Sequence, residues 1–279
     1  MRIFVLGNAH RPGVTEEAQR LVPWLRQHCD VIVHDLLQAQ DLGVLSADLA
    51  LVLGGDGAIL RAARQMGYRQ TPVLGVNLGK LGFLADLSPD ELRGCLPQVL
   101  RGEYRVTRHL MFECALQTPE GSRTLLGLNE VVFQTGPPFN MIDFDLFVDG
   151  EVIARFSGDG LILSTPVGST GHNLSAGGPI LEQGLSAFVI TPICPQMLSN
   201  RPVVDSADKV YTVVVRRAPA GAALIVDGQE IIPVAAGQQV TVRRAPVSFG
   251  LVKVAGRSYY QTLRDKLRWG TPPNYRAET

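Results

Sequence analysis

Residues 1–105 alternate short apolar runs with longer amphipathic stretches. The apolar runs predict buried strands at Ile3–Leu6, Val31–Val33, Leu49–Leu53 and Pro72–Val76. The amphipathic stretches predict helices over Val14–Cys29 and Ala58–Met66, and a third that begins at the capping sequence SPDEL, residues 88–92. This strand–helix alternation indicates an α/β domain with a parallel sheet covered by helices.

After residue 105 the pattern changes to short alternating runs separated by turn residues. Asp149-Gly150 and Asp227-Gly228 each stand between two such runs, which is a strong signal for a tight β-hairpin. Residues 106–256 are therefore predicted to form a second, β-rich and mostly antiparallel domain. Beyond them, Tyr259, Leu263 and Leu267 recur at a spacing of four, which predicts a short helix.

Composition and charge exclude several classes of function. The 279 residues are 46% hydrophobic, and 26 Lys and Arg balance 26 Asp and Glu, so nothing favours binding to nucleic acid or to an anionic membrane. The four cysteines have no CxxC spacing, and no apolar run approaches the length of about 18 residues that spans a bilayer. We therefore expect a cytoplasmic protein with no nucleic-acid or membrane partner.

The sequence GGDG, residues 54–57, follows a predicted strand and precedes a predicted helix. It is neither a Walker loop nor a dinucleotide-binding fingerprint, because Gly79-Lys80 lies one residue too close to Gly75 and residue 60 is leucine. The start of a helix attracts anions, and glycines let a polyphosphate approach the main chain. Asp56 would then serve a hydroxyl, a ribose or Mg²⁺, as in phosphoryl transfer to an alcohol. A tight turn with a turn-stabilising aspartate is the alternative.

Two further features carry candidate chemistry. Arg61, one turn into the helix, could hold a phosphate chain or be a solvated surface arginine. The stretch from Ser157 to Ile180, SGDGLILSTPVGSTGHNLSAGGPI, is rich in glycine and hydroxyl side chains, and we expect a ligand-facing loop. A flexible connection between domains is the alternative. Ser169 and His172 do not form a hydrolase motif, since no GxSxG sequence surrounds the serine.

The chain resembles the NAD kinase family in three motifs that occur in the same order: GGDG, Asn129-Glu130 and the block from Gly158 to Leu181. Members of this family phosphorylate the 2′-hydroxyl of the adenosine ribose of NAD to give NADP. GGDG alone is shared with diacylglycerol kinases, sphingosine kinases and 6-phosphofructokinases, whereas the long block is specific. The segment from Val76 to Leu92 and the tail YYQTLRDKLRWG also resemble the family.

The resemblance implies a fold and a set of roles. Residues 257–279 would pack back on the first domain, NAD would lie between the two domains, and Asp56 would be the catalytic carboxylate. Residues that would contact the substrate, by match to the family pattern, are Gly57, Asn129, Glu130, Asn140, Asp159, Thr170, Gly171, His172, Asn173, Ser175 and Gln229. No metal-ligating residue is assigned.

Three positions depart from the family pattern. Ala58 replaces the threonine that commonly follows GGDG, His172 stands where tyrosine is usual, and Leu84 follows Phe83 where aromatic residues also occur. A histidine can still stack or form a hydrogen bond, so the site could survive with an altered contact to the base and a relaxed choice of substrate.

The resemblance also implies partners. Mg²⁺ or another divalent cation would accompany the phosphate donor, which could be ATP or polyphosphate, and the protein would form a homo-oligomer, a dimer or a tetramer. Feedback by NADP or NADPH is expected because product resembles substrate. Two alternatives stay open: a non-catalytic dinucleotide sensor, and a related kinase acting on a lipid or sugar alcohol. The absence of an amphipathic membrane-docking stretch in the sequence counts against the lipid.

Overall fold

A computed structural model describes residues 1–79, 82–85, 87–118, 121–197, 199–254 and 258–270. These residues form two compact units. The first unit comprises residues 1–65, 71–107 and the chain from residue 251 onward, and the second comprises residues 66–70 and 108–250.

The helices and strands follow the chain in a simple order. The helices are α1 (Val14–His28), α2 (Asp56–Met66), α3 (Pro89–Leu100), α4 (His172–Ser175) and α5 (Tyr259–Leu267). The strands are β1 (Arg2–Gly7), β2 (Asp30–Asp35), β3 (Leu49–Leu53), β4 (Val73–Val76), β5 (Arg105–Thr118), β6 (Gly121–Gly127), β7 (Glu130–Gln134), β8 (Ile142–Val148), β9 (Glu151–Gly158), β10 (Gly160–Ser164), β11 (Ala187–Ile193), β12 (Val203–Ser206), β13 (Tyr211–Arg217), β14 (Ala223–Val226), β15 (Glu230–Pro233) and β16 (Gln239–Lys253).

The first unit is a parallel sheet packed against helices, as the alternating pattern predicts. Its strands lie in the order β2-β1-β3-β4, and the end of β16 runs parallel to β4 with Leu251 opposite Val73. Every residue of β3 is buried, which is why its sequence is continuously apolar rather than alternating. The core joins these strands to the apolar faces of α1 and α3.

Helix α3 begins at the predicted capping box. Glu91 donates its backbone N–H to Ser88 Oγ at 3.2 Å, and Ser88 donates its own to Glu91 Oε2 at 2.7 Å. Helix α2 starts two residues earlier than predicted, at Asp56 rather than Ala58. The second half of GGDG is therefore the first turn of the helix, where a carboxylate is stabilised by the helix dipole.

The second unit consists of two antiparallel sheets with a shared core. One sheet has the order β12-β11-β10-β7-β14-β15, and the other joins β16, β13, β8 and β9, with β5 and β6 alongside. Phe133 packs edge-on against Phe144 with ring centroids 5.3 Å apart, and Phe188 packs against Tyr211 at 5.4 Å, so aromatic pairs link the two sheets. Both predicted hairpins are present, as β8–β9 and β14–β15.

The second glycine-rich stretch is not a loop throughout, because residues 160–164 form strand β10. Strand β10 is wholly buried in the middle of its sheet, and residues 165–169 after it are buried as well. Glycine is needed here for close packing: a Cβ on Gly160 would overlap the carbonyl oxygen of Phe133 on β7. Within the described part of the chain, none of the helices is both long and apolar enough to cross a bilayer.

The capping box of α3 gives a test of the fold. Ser88→Ala removes the hydroxyl that accepts the Glu91 N–H, and we expect the free energy of unfolding to fall by about 1 kcal/mol. Urea denaturation measures this change. A loss well above that value would mean that Ser88 does more than cap the helix.

Candidate active site

Asp56 is clamped by the backbone of residues 83–85. Its Oδ2 accepts the N–H of Phe83 at 2.8 Å, and its Oδ1 accepts those of Leu84 and Ala85 at 3.0 Å each. The carboxylate can approach this closely because residue 82 is glycine, where a Cβ would overlap Asp56 Oδ1. These hydrogen bonds hold the Asp56 side chain in a single orientation at the start of α2.

A cation lies beside the same carboxylate. Lys266 Nζ, from α5, is 3.8 Å from Asp56 Oδ2 and 4.3 Å from the centroid of the Phe83 ring. Gly55 and Gly57 have no heavy atom within 4 Å of where a Cβ would lie, so a ligand has room to approach the main chain on both sides of Asp56. Arg61 is half-buried on α2, and its contact with phosphate stays a prediction.

Asn129 and Glu130 are held by a second clamp, in the second unit. Asp227 accepts three consecutive backbone N–H groups, from Leu128 and Asn129 at 2.8 Å each and from Glu130 at 3.1 Å. Thr165 adds a further connection, because its hydroxyl donates to the Leu128 carbonyl at 2.6 Å. The sequence identifies Asp227 only as a hairpin residue, and neither Asp227 nor Thr165 is among the predicted site residues.

Glu130 is a buried acid in an unfavourable environment. Only 6% of the residue is exposed, and its Oε2 has no hydrogen-bond partner among the described residues. Burial, followed by the charge of Asp227, raises the pKa of Glu130 to about 8. The Oδ1 of Asn129 likewise has no partner in the described structure. Buried oxygens without partners on two consecutive residues are a strong indication of a ligand site.

These two side chains meet the glycine-rich stretch at Gly171. A Cβ at that position would lie 3.4 Å from Glu130 Oε2 and 3.7 Å from Asn129 Nδ2. His172 begins α4 directly after Gly171 and is half-buried, as is Thr170 before it, whereas Ser175 at the end of the helix is exposed. Gly171 therefore lies beside Asn129 and Glu130, and the contacts of these residues with substrate stay predictions.

Asn173 is placed differently from a typical ligand contact. Its side chain is buried, and its Nδ2 donates to the carbonyls of Ser169 and Pro179 at 3.0 Å each. Its Oδ1 accepts the Thr191 hydroxyl at 2.6 Å. Asn173 thus ties the turn after β10 to β11, and a direct contact with substrate stays a prediction. Ser169 Oγ donates to the Pro166 carbonyl rather than acting beside His172.

The remaining predicted residues lie on turns of the second unit. Asp159 separates β9 from β10, is half-buried, and accepts a hydrogen bond from the Cys194 thiol, whose pKa it raises. Gln229 lies two residues after Asp227, and Asn140 is exposed in the loop before β8. Among the described residues, no group of three or more His, Cys, Asp or Glu side chains could hold a metal ion.

Comparison with known sequences identifies the family. The family model described as "ATP-NAD kinase N-terminal domain" matches residues 34–104, and that described as "ATP-NAD kinase C-terminal domain" matches residues 128–254. An NAD kinase of Rhodopirellula baltica is 46% identical over 269 residues, covering 96% of this chain and 86% of that protein. The chain belongs to the NAD kinase family. A second member, from Geotalea daltonii, is 38% identical over 282 residues, covering 96% of this chain and 99% of that protein.

Solved structures agree with the fold. The crystal structure of an NAD kinase from Archaeoglobus fulgidus in complex with ATP has a TM-score of 0.74 and 29% identity, covering 96% of this chain and 99% of that one. Yeast NADH kinase complexed with NADH has a TM-score of 0.89 over 99% of this chain and 90% of that one, and at 22% identity it shows the fold alone. The predicted fold class, an α/β domain followed by a β-rich domain, is confirmed.

The role of Asp227 can be tested by comparison with Asp149, which occupies the turn of the other hairpin, between β8 and β9. Asp227→Asn leaves a single side-chain oxygen to accept three backbone N–H groups. We expect the free energy of unfolding to fall by about 1–3 kcal/mol, and hydrogen exchange at residues 128–130 to become faster. Asp149→Asn is the control, because Asp149 occupies the same type of turn but accepts the single N–H of Val210. Equal losses in both variants would contradict a special role for Asp227.

The buried acid predicts an unusual pH dependence of stability. The pKa of Glu130 rises from 4.5 to about 8 on folding, so the folded state binds more protons between these values and stability falls as pH rises through that range. Glu130→Gln stays neutral. We expect its stability advantage over the native protein to grow to the order of a few kcal/mol above about pH 8. Thermal unfolding at several pH values measures this difference, and a constant difference would contradict the assignment.

Proposed function

We propose that this protein transfers the terminal phosphoryl group of ATP to the 2′-hydroxyl of the adenosine ribose of NAD, giving NADP. The observation that carries the chemistry is the clamped carboxylate of Asp56 at the start of α2, beside backbone that a phosphate can approach. Membership of the NAD kinase family supports the substrates.

Asp56 acts as the acceptor of the hydroxyl proton. An alcohol is far less acidic than a carboxylic acid, so Asp56 orients the hydroxyl and takes its proton only as the new bond between oxygen and phosphorus forms. Three backbone N–H groups occupy about three of the four acceptor positions of the carboxylate, which leaves about one for the substrate. This assistance contributes about 10²–10⁴-fold to the rate.

The second unit supplies the binding of NAD. Ribose and amide groups of a dinucleotide are hydrogen-bond donors, and the partnerless oxygens of Glu130 and Asn129 are the acceptors that they would meet. His172 would stack on or bond to one of the two bases, and Thr170, Asp159, Gln229, Asn140 and Ser175 would line the remainder. A donor bonded to Glu130 favours its ionised form, so binding of NAD at neutral pH would release a proton.

A divalent cation, Mg²⁺ by preference, would accompany the phosphate donor. Mg²⁺ keeps several waters and is commonly held by phosphates with one or two carboxylates. Among the described residues no group of acidic side chains could form a cage around the ion, so the cation would be held mainly by the phosphates and water. The cation would neutralise charge on the phosphates, and inorganic polyphosphate stays a second possible donor.

Two features support the expected oligomeric state and cellular compartment of the enzyme. Edge strand β9 exposes 47% of Val152 and 46% of Ile153, which suits pairing with a second copy in a homo-oligomer. All four cysteines are free thiols, which suits the reducing conditions of the cytoplasm.

The decisive test is the formation of NADP by an Asp56→Asn variant. We expect kcat to fall by about 10²–10⁴-fold while NAD still binds, because the amide cannot accept the proton. A coupled assay for NADP with ATP, with and without Mg²⁺, measures the rate, and calorimetry measures the binding. Near-normal turnover would exclude Asp56 from the mechanism.

A matched control separates chemistry from loop placement. Asp35 accepts backbone N–H groups from Leu37, Gln38 and Gln40, so it is another carboxylate in the first unit that binds three N–H groups. Asp35→Asn should lower the melting temperature and leave kcat near the native value below that temperature. A comparable loss of kcat in both variants would mean that the Asp56→Asn loss comes from a disturbed first unit and not from the missing proton acceptor.

A further inference from the structure

The cation beside Asp56 has a fixed position. Lys266 Nζ lies 3.8 Å from Asp56 Oδ2, outside hydrogen-bond distance but within the range of a direct charge interaction, and 4.3 Å from the centre of the Phe83 ring. The side chains of Lys266 and Asp56 are 33% and 29% exposed, so solvent screens the pair only in part.

The helix that carries Lys266 is anchored at its start. Ser258 caps α5 by accepting the backbone N–H of Gln261 at 3.2 Å, and Thr262 and Leu263 are buried. Tyr259 packs against Phe83 with ring centroids 6.5 Å apart, so the ring under the ammonium group is itself fixed to α5. Several contacts of α5 therefore hold Lys266 in its position.

The charges of the proposed reaction need such a cation. The terminal phosphate of the donor and the Asp56 carboxylate repel each other, and the substrate hydroxyl must nevertheless lie between them. An ammonium group next to Oδ2 reduces that repulsion without using the hydrogen-bonding position that the hydroxyl requires.

We propose that Lys266 is a positioning residue for phosphoryl transfer, acting through Asp56. The inference rests on the proposed function. In the reaction the O–H bond of the ribose breaks and its proton passes to Asp56, while the hydroxyl oxygen forms a bond to the terminal phosphorus. The bond from that phosphorus to its bridging oxygen breaks, and its electron pair leaves with ADP. Lys266 takes no part in the proton transfer.

A double-mutant cycle tests the coupling. Lys266→Met should lower kcat by about ten- to a hundred-fold with little change in KM for NAD, and Lys266→Arg should restore part of the loss. In the Asp56→Asn background the same lysine substitution should change kcat less than about two-fold, because the group through which it acts is gone. Arg264→Met, which removes a cation from an exposed position of the same helix, is the control and should match the native protein.

The pH profile separates positioning from a structural role. Removal of a neighbouring cation disfavours an ionised carboxylate, so the acidic limb of kcat should move to higher pH in Lys266→Met and not in Arg264→Met. The inference would be overturned if folded Lys266→Met had the native kcat. It would also be overturned if the losses from Lys266→Met and Asp56→Asn multiplied fully when the two changes were combined. If Lys266→Met fails to fold, Lys266→Gln takes its place. Failure of the native protein to form NADP would instead refute the proposed function.

Discussion

One side-chain carboxylate that binds three backbone N–H groups is the interaction on which the candidate site residues of each unit depend. Asp56 binds residues 83–85 in this way, and Asp227 binds residues 128–130. Hydrogen bonds to a charged acceptor are about twice as strong as neutral ones, so three of them fix a short segment that lacks regular structure. In one case the clamp presents the carboxylate itself, and in the other it presents the neighbouring side chains Asn129 and Glu130.

The second clamp brings two acids together. Asp227 accepts the backbone N–H of Glu130 itself, and its charge adds to the effect of burial in raising the pKa of Glu130. A fold selected for stability alone would have no reason to keep an acid there, because an apolar side chain would fill the space at lower cost in free energy. The unfavourable environment is therefore best explained by a ligand that supplies the missing hydrogen bonds. The same reasoning does not extend to Asn173, whose polar atoms are already bonded within the protein.

The sequence predicts the fold because its periodicities are local. Buried parallel strands are continuously apolar, DG turns mark hairpins, and the capping box of α3 lies within four residues. The site is less accessible to such reasoning. The bond from Phe83 to Asp56 spans 27 positions, and a sequence pattern does not reveal which backbone groups face a carboxylate. Gly82 illustrates the difficulty, since its lack of a side chain makes sense only once Asp56 is seen beside it. The buried Gly160 of β10 likewise suggests a loop until the neighbouring strand β7 is known.

Strand β16 contributes to both compact units: residues up to 250 belong to the second, and Leu251 onward to the first. The first unit is therefore not encoded by a continuous stretch of the gene. A fragment ending at residue 107 would lack the strand beside β4, together with α5 and its lysine, whereas a fragment of residues 108–250 would end in mid-strand. Replacing the first unit by another would therefore require more than one separate segment of the gene to be exchanged together.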